Sequence, residues 1–127
     1  MRLFLVRHAE AAPGDPDELR RLTDAGRAAA RALGERLAAE SLEAVVCSPH
    51  LRARETAEPI AVAAGLTAEP DERLGFEATA DSLRQAVAGK GETVVAVGHQ
   101  PNCSEIVLAL TGRDVAFAPA DVVELEL

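Results

Sequence analysis

Leu3-Phe4-Leu5-Val6-Arg7-His8 is the stretch on which the reading of this chain turns. Four consecutive apolar residues describe a strand covered on both faces, the pattern of a parallel sheet between helices. An arginine and a histidine at its carboxyl end then stand on the rim of that sheet. In open α/β sheets this rim is where ligands bind. Arg7 carries a permanent charge and a planar fork of donors suited to phosphate. His8 carries a ring nitrogen that is nucleophilic when neutral.

Two further apolar runs end in the same way. Ala44-Val45-Val46-Cys47 leads into Ser48-Pro49-His50-Leu51-Arg52, and Thr93 to Val97 leads into Gly98-His99-Gln100. If the three strands are parallel, Arg7, His8, Arg52 and His99 share one rim. Basic groups converging there make an anion pocket, and low-dielectric walls focus its field.

Helical patterns lie between the strands. Leu22, Ala25, Ala29, Leu33 and Leu37 form one apolar stripe, and the helix is capped by Thr23 or Asp24 and runs to about Glu40. Gly26 and Gly34 in it suggest close packing on the sheet. A second helix starts near His50 and stops at Gly65, and Pro59 predicts a kink or break within it. Leu66 to Glu69 reads as a short edge strand. A third helix opens at Thr79 or Asp81 and ends before Gly89. A fourth follows Pro101 and stops at Gly112. Val115–Phe117 and Val122–Leu127 read as closing strands, the last with alternating wet and buried positions. The expectation is a three-layer α/β/α sandwich: a parallel-dominated central sheet, helices on both faces and an antiparallel strand near the C-terminus. Residues 1–127 form a single domain.

Composition excludes several classes. Net charge is −8 without a basic run, which argues against nucleic acid and against anionic membranes. No apolar run approaches the roughly 18 residues of a membrane span, and the chain opens directly into a strand, so a cytoplasmic, soluble protein is expected. Cys47 and Cys103 form no zinc or redox motif and read as buried thiols. Cys47 and Arg52 do not make a cysteine-phosphatase loop, having one residue too few between them and no glycine. Gly89-Lys90-Gly91 lacks P-loop spacing. A metal on His8, His99 and Glu10 is disfavoured by repulsion from Arg7 and Arg52.

The residues resemble the histidine phosphatase superfamily. Its Arg-His-Gly mark stands here as Arg7-His8-Ala9, with alanine in the glycine position. Its second mark appears as Ser48-Pro49-His50-Leu51-Arg52-Ala53-Arg54-Glu55-Thr56-Ala57. Its Leu-Thr-x-x-Gly appears as Leu22-Thr23-Asp24-Ala25-Gly26, and its second histidine as Val97-Gly98-His99-Gln100-Pro101. The marks run in family order over nearly the whole chain. Length, the Arg7-His8-Ala9-Glu10-Ala11 opening and Arg20-Arg21-Leu22-Thr23 resemble the short SixA-type phosphohistidine phosphatases.

The resemblance implies that neutral His8 attacks phosphorus and becomes phosphohistidine, its other ring nitrogen held by a backbone carbonyl. Arg7, Arg52 and protonated His99 would hold the phosphoryl oxygens, with no metal and no other cofactor. Glu72 or Glu77, in the loop before the third helix, would supply a proton to an ester leaving group. Glu72-Arg73-Leu74-Gly75 matches the family pattern poorly, which fits a phosphohistidine substrate better than a sugar phosphate. Arg20 and Gln100 are candidates for the pocket rim, and Arg20 reads equally well as exposed. The partner would be a phosphorylated histidine-containing protein. The alternatives are a small phosphorylated molecule as substrate, or a phosphate-binding module without turnover.

Overall fold

The computed structural model describes residues 1–127. Five strands, β1 (Arg2–Arg7), β2 (Ala44–Cys47), β3 (Ala68–Pro70), β4 (Thr93–Gly98) and β5 (Val122–Glu126), form one sheet in the order β3-β2-β4-β1-β5. Every pairing is parallel except that of β5 with β1. Four helices complete the chain: α1 (Asp24–Ala38), α2 (Leu51–Ala63), α3 (Ala80–Val87) and α4 (Asn102–Thr111). Single turns of 3-10 helix occupy Asp17–Leu19 and Glu72–Leu74. No helix is long and apolar enough to cross a membrane.

The continuous apolar runs of β1, β2 and β4 have the reason expected of them: both sheet faces are covered. Alternate side chains go to opposite layers. Phe4, Val6, Val45, Val95 and Val97 pack with Leu33 and Leu37 of α1 and with Ala57, Ile60 and Ala61 of α2. Leu3, Leu5, Val46, Val94 and Ala96 pack with Leu83, Ala86 and Val87 of α3 and with Cys103, Ile106 and Val107 of α4. Both cysteines are buried free thiols, and burial pushes each up to about 12.

Three local expectations are corrected. α2 runs unbroken through Pro59. A proline inside a helix costs about 3 kcal/mol, but buried Ala57, Ile60 and Ala61 hold the helix on both sides of it. Gly34 also receives the Pro59 backbone, since a Cβ there would lie 2.8 Å from the Pro59 carbonyl oxygen. The close packing at Gly26 and Gly34 is therefore against the Glu10 backbone and α2, not against the sheet. Val115–Phe117 is not a strand. Its Val115 and Phe117 carbonyls accept from Ser104 Oγ and Arg7 Nη1, and the edge of β1 is taken by β5. Thr23 is the cap of α1, accepting from the Gly26 amide, and Thr79 that of α3.

At an open helix position, alanine for glycine stabilises by up to about 1 kcal/mol. Gly26 reverses that sign, because a Cβ there would sit 2.1 Å from the Glu10 carbonyl oxygen. Gly26→Ala is expected to destabilise the protein by about 1–3 kcal/mol. Urea denaturation read by circular dichroism checks it, and an unchanged or higher midpoint contradicts it.

Candidate functional site

The order β2-β4-β1 puts the three carboxyl ends side by side, with Arg7 opposite Gly98 and Cys47 opposite Val97. The ladder continues beyond the strands. His8 N–H donates to the Gly98 carbonyl at 3.0 Å, and Ser48 N–H to the Val97 carbonyl at 3.0 Å. Backbone pairing therefore fixes where these side chains begin. The His8 and His99 rings meet edge to face with centroids 5.3 Å apart.

His8 Nδ1 lies 2.8 Å from the Ala9 carbonyl oxygen. A carbonyl only accepts, so Nδ1 carries the hydrogen and Nε2 keeps its lone pair. Burial, reinforced by Arg52, Arg7 and Arg20 and opposed by the bond to Ala9, lowers His8 to about 4. The ring is neutral at pH 7. Ala9, fully buried, donates its N–H to Thr56 Oγ1 at 2.9 Å, and that hydroxyl donates to the Arg52 carbonyl at 2.8 Å. Thr56 thus couples the end of β1 to the first turn of α2, which carries Arg52.

His99 is 1% exposed, with Nε2 2.8 Å from Ser48 Oγ. Ser48 Oγ also accepts from the His50 amide at 3.2 Å. His99 Nδ1 is buried without a partner. Burial, then His8, Arg52 and His50, against a smaller opposing effect of Asp17, lower His99 to about 3. Among these neighbours, burial first and the adjacent groups second favour the neutral ring.

Arg7 donates from Nη1 to the Phe117 carbonyl at 2.8 Å, and its Nε is buried without a partner. Arg52 is 4% exposed. It donates from Nη1 to the Asp17 carbonyl at 2.9 Å and from Nη2 to the Asp17 carboxylate at 3.1 Å. Arg20 Nη1 reaches the same carboxylate at 3.2 Å, and Nε binds the Ala12 carbonyl at 2.9 Å. Arg20 and then Arg52 hold the Asp17 carboxyl below the usual carboxylate range.

The remaining candidates divide. Arg20 joins the rim through Asp17. Gln100 does not: its amide is turned onto Ser104, with Nε2 donating to Oγ and Oε1 accepting from the Ser104 amide. It braces the first turn of α4. The Glu72 and Glu77 side chains are exposed and make no hydrogen bond, so neither is tied to the rim. No group of three or more His, Cys, Asp and Glu has an arrangement fit to hold a metal.

Residue-by-residue reading missed Asp17, Ser48, Thr56 and Phe76. Ser48 and Thr56 stood within a recognised motif without a role, and Asp17 closes the turn-rich Ala12–Asp17 loop. Phe76 gave no signal. Its ring lies 4.6 Å from His99, 4.2 Å from His50 and 5.4 Å from Arg52 Cζ. The largest concavity, about 490 Å³, lies elsewhere, between α1 and α2 among Arg27, Arg31, Glu35, Glu55 and Glu58.

A mostly parallel sheet carrying histidines and arginines on its carboxyl rim, with one antiparallel edge, defines the class: an α/β protein of the histidine phosphatase fold. The chain belongs to the histidine phosphatase superfamily, branch 1, whose family model matches residues 3–75. Its full length superposes on 88% of the protein histidine phosphatase SixA complexed with tungstate, with TM-score 0.87 and 25% identity. SixA from Agrobacterium tumefaciens matches over 98% of this chain and 90% of its own, with TM-score 0.83 and 25% identity. SixA from Nakamurella multipartitia is 31% identical over 86% of this chain and 64% of its own, with TM-score 0.72. Among curated proteins, no relative matches.

Both rim histidines titrate below the roughly 6.5 of an unfolded histidine. As pH falls below that value the unfolded chain takes up protons first, so stability drops toward the range of about 4 for His8 and about 3 for His99. The midpoint temperature is expected to fall by several degrees between pH 7 and pH 5. His99→Asn should flatten that slope, and an identical slope in the variant would contradict the account.

Proposed function

We propose that the protein is a metal-independent phosphatase that removes phosphate from phosphohistidine on another protein through a covalent phospho-His8 intermediate. One observation carries this reading. The Ala9 carbonyl holds the hydrogen on Nδ1 of a neutral His8, leaving Nε2 as a nucleophile beside the Arg7 and Arg52 guanidiniums.

The chemistry balances without further groups. The Nε2 lone pair forms a bond to phosphorus in line with the departing nitrogen, whose bond to phosphorus breaks and whose ring keeps the electron pair. Arg7, Arg52 and His99 meet the charge on the transferring phosphoryl oxygens. Arg7 Nε and His99 Nδ1, buried without partners, suit that work. Water then attacks phospho-His8, the new P–N bond breaks, and phosphate leaves with His8 restored.

The proton supply favours this substrate. An alkoxide needs a proton as it departs, and the only carboxylate bonded to the rim is Asp17, held ionised by Arg20 and Arg52. A poor proton donor suits a leaving group that needs little help. Phosphorylated imidazole, protonated on its far nitrogen, departs as a neutral ring. The similarity to SixA proteins is in keeping with this. The acidic surface and the absence of a membrane-length helix accord with a cytoplasmic protein partner.

Purified protein is expected to release phosphate from a phosphohistidine-bearing phosphotransfer protein faster than from an alkyl phosphate, with or without EDTA. His8→Ala should abolish turnover while phosphate binding persists. Arg52→Ala should lower kcat/KM by about 10²–10³. Alkaline quenching during turnover should trap label on His8. Turnover that survives His8→Ala ends the proposal, and a preference for the alkyl phosphate favours the small-molecule alternative.

A further inference from the structure

The chain has three phenylalanines and no tyrosine or tryptophan. Phe4 and Phe117 are buried, whereas Phe76 is 51% exposed. A single exposed apolar side chain ordinarily needs no explanation. This one differs in where it stands and in how it is held. Its ring lies against His50 and His99, with the Arg52 guanidinium over it at 5.4 Å. Its backbone is pinned from another element: buried Asn102 donates from Nδ2 to the Phe76 carbonyl at 2.8 Å and to the Ala78 carbonyl at 3.1 Å. Asn102 opens α4, three residues after His99. The helix that follows one rim histidine therefore also fixes the aromatic ring beside it.

We propose that Phe76 is a specificity-determining residue, a fixed platform for a planar leaving group attached to the phosphoryl group held at the rim. The inference rests on the phosphoryl reading of the rim made above, and it adds which departing groups the site selects. A ring bonded to a phosphoryl group at Arg52 starts beside the Phe76 face, because Arg52 itself lies over that face. Stacked or edge-on contact with an aromatic group is favourable beyond the area it covers. A protonated imidazole gains further by presenting positive charge to the ring. A neutral alkyl group gains neither. His50 completes the wall, its Nδ1 buried without a partner and its ring against Phe76.

Non-hydrolysable ligands test this without turnover. Phenylphosphonate and methylphosphonate share the same oxyanion and differ in the ring. By calorimetry, the wild type is expected to bind phenylphosphonate about 2–10-fold more tightly, the range one aromatic pair supplies. Phe76→Ala should bring that ratio close to one and leave methylphosphonate affinity within about twofold. Phe76→Leu, which keeps apolar surface without a π-face, should retain only part of the preference. An unchanged ratio in Phe76→Ala overturns the proposal. So does an equal loss for both ligands, which would make the ring a mere prop for Arg52 and His99. Failure of methylphosphonate to bind the wild type overturns the oxyanion reading and the platform with it. A protein that binds phosphonates in the expected ratio yet does not hydrolyse phosphohistidine retains the platform and loses only the substrate proposed above.

Discussion

Everything at the rim depends on the parallel pairing of β2, β4 and β1 in one register. Parallel strands end on the same side, so three short runs of sequence arrive together although many residues separate them. The ladder extends one residue past β1 and β2, through the amides of His8 and Ser48. The backbone of each functional segment is therefore held before any side-chain contact is considered. This pairing lies at the centre of the sheet, covered on both faces by helices, where its hydrogen bonds are shielded from water.

That scaffold creates an electrostatic conflict. Two guanidiniums that cannot lose their protons stand beside two imidazoles in a partly dry site. The imidazoles yield by staying neutral. The arginines are met by oxygen: the Phe117 carbonyl for Arg7, and the Asp17 carbonyl and carboxylate for Arg52. Neutral imidazoles are useful in themselves. One keeps a lone pair in the direction its carbonyl partner dictates, and the other has Nε2 on Ser48 and leaves Nδ1 without a partner.

The centre is tied to its surroundings by hydrogen bonds from neighbouring elements. Thr56 ties the nucleophile's neighbour to the helix of Arg52, Asn102 ties the Phe76 loop to the helix after His99, and Gln100 braces that helix through Ser104. The Ala9–Thr56 and Phe76–Asn102 bonds join residues far apart in the chain, whereas Thr56–Arg52 and Gln100–Ser104 each span only four residues. The largest concavity of the surface lies away from the rim, between α1 and α2.

Read alone, the sequence determined the central strands β1, β2 and β4, their burial on both faces, the alternation with helices and the gathering of Arg7, His8, Arg52 and His99 on one edge. Such features are written in local periodicity and in which residues follow each apolar run. The tertiary structure alone decided that α2 passes through Pro59, that Val115–Phe117 lends its carbonyls to side chains instead of a strand, and that Gln100 faces Ser104. It alone decided the neutral state of His99 and the arrival of Asp17 and Phe76 at the rim. Apart from the local Gln100–Ser104 bond, the reason is common to these cases: each outcome is set by neighbours distant in the chain, through packing, desolvation or a hydrogen bond across elements, and no local pattern encodes who those neighbours are.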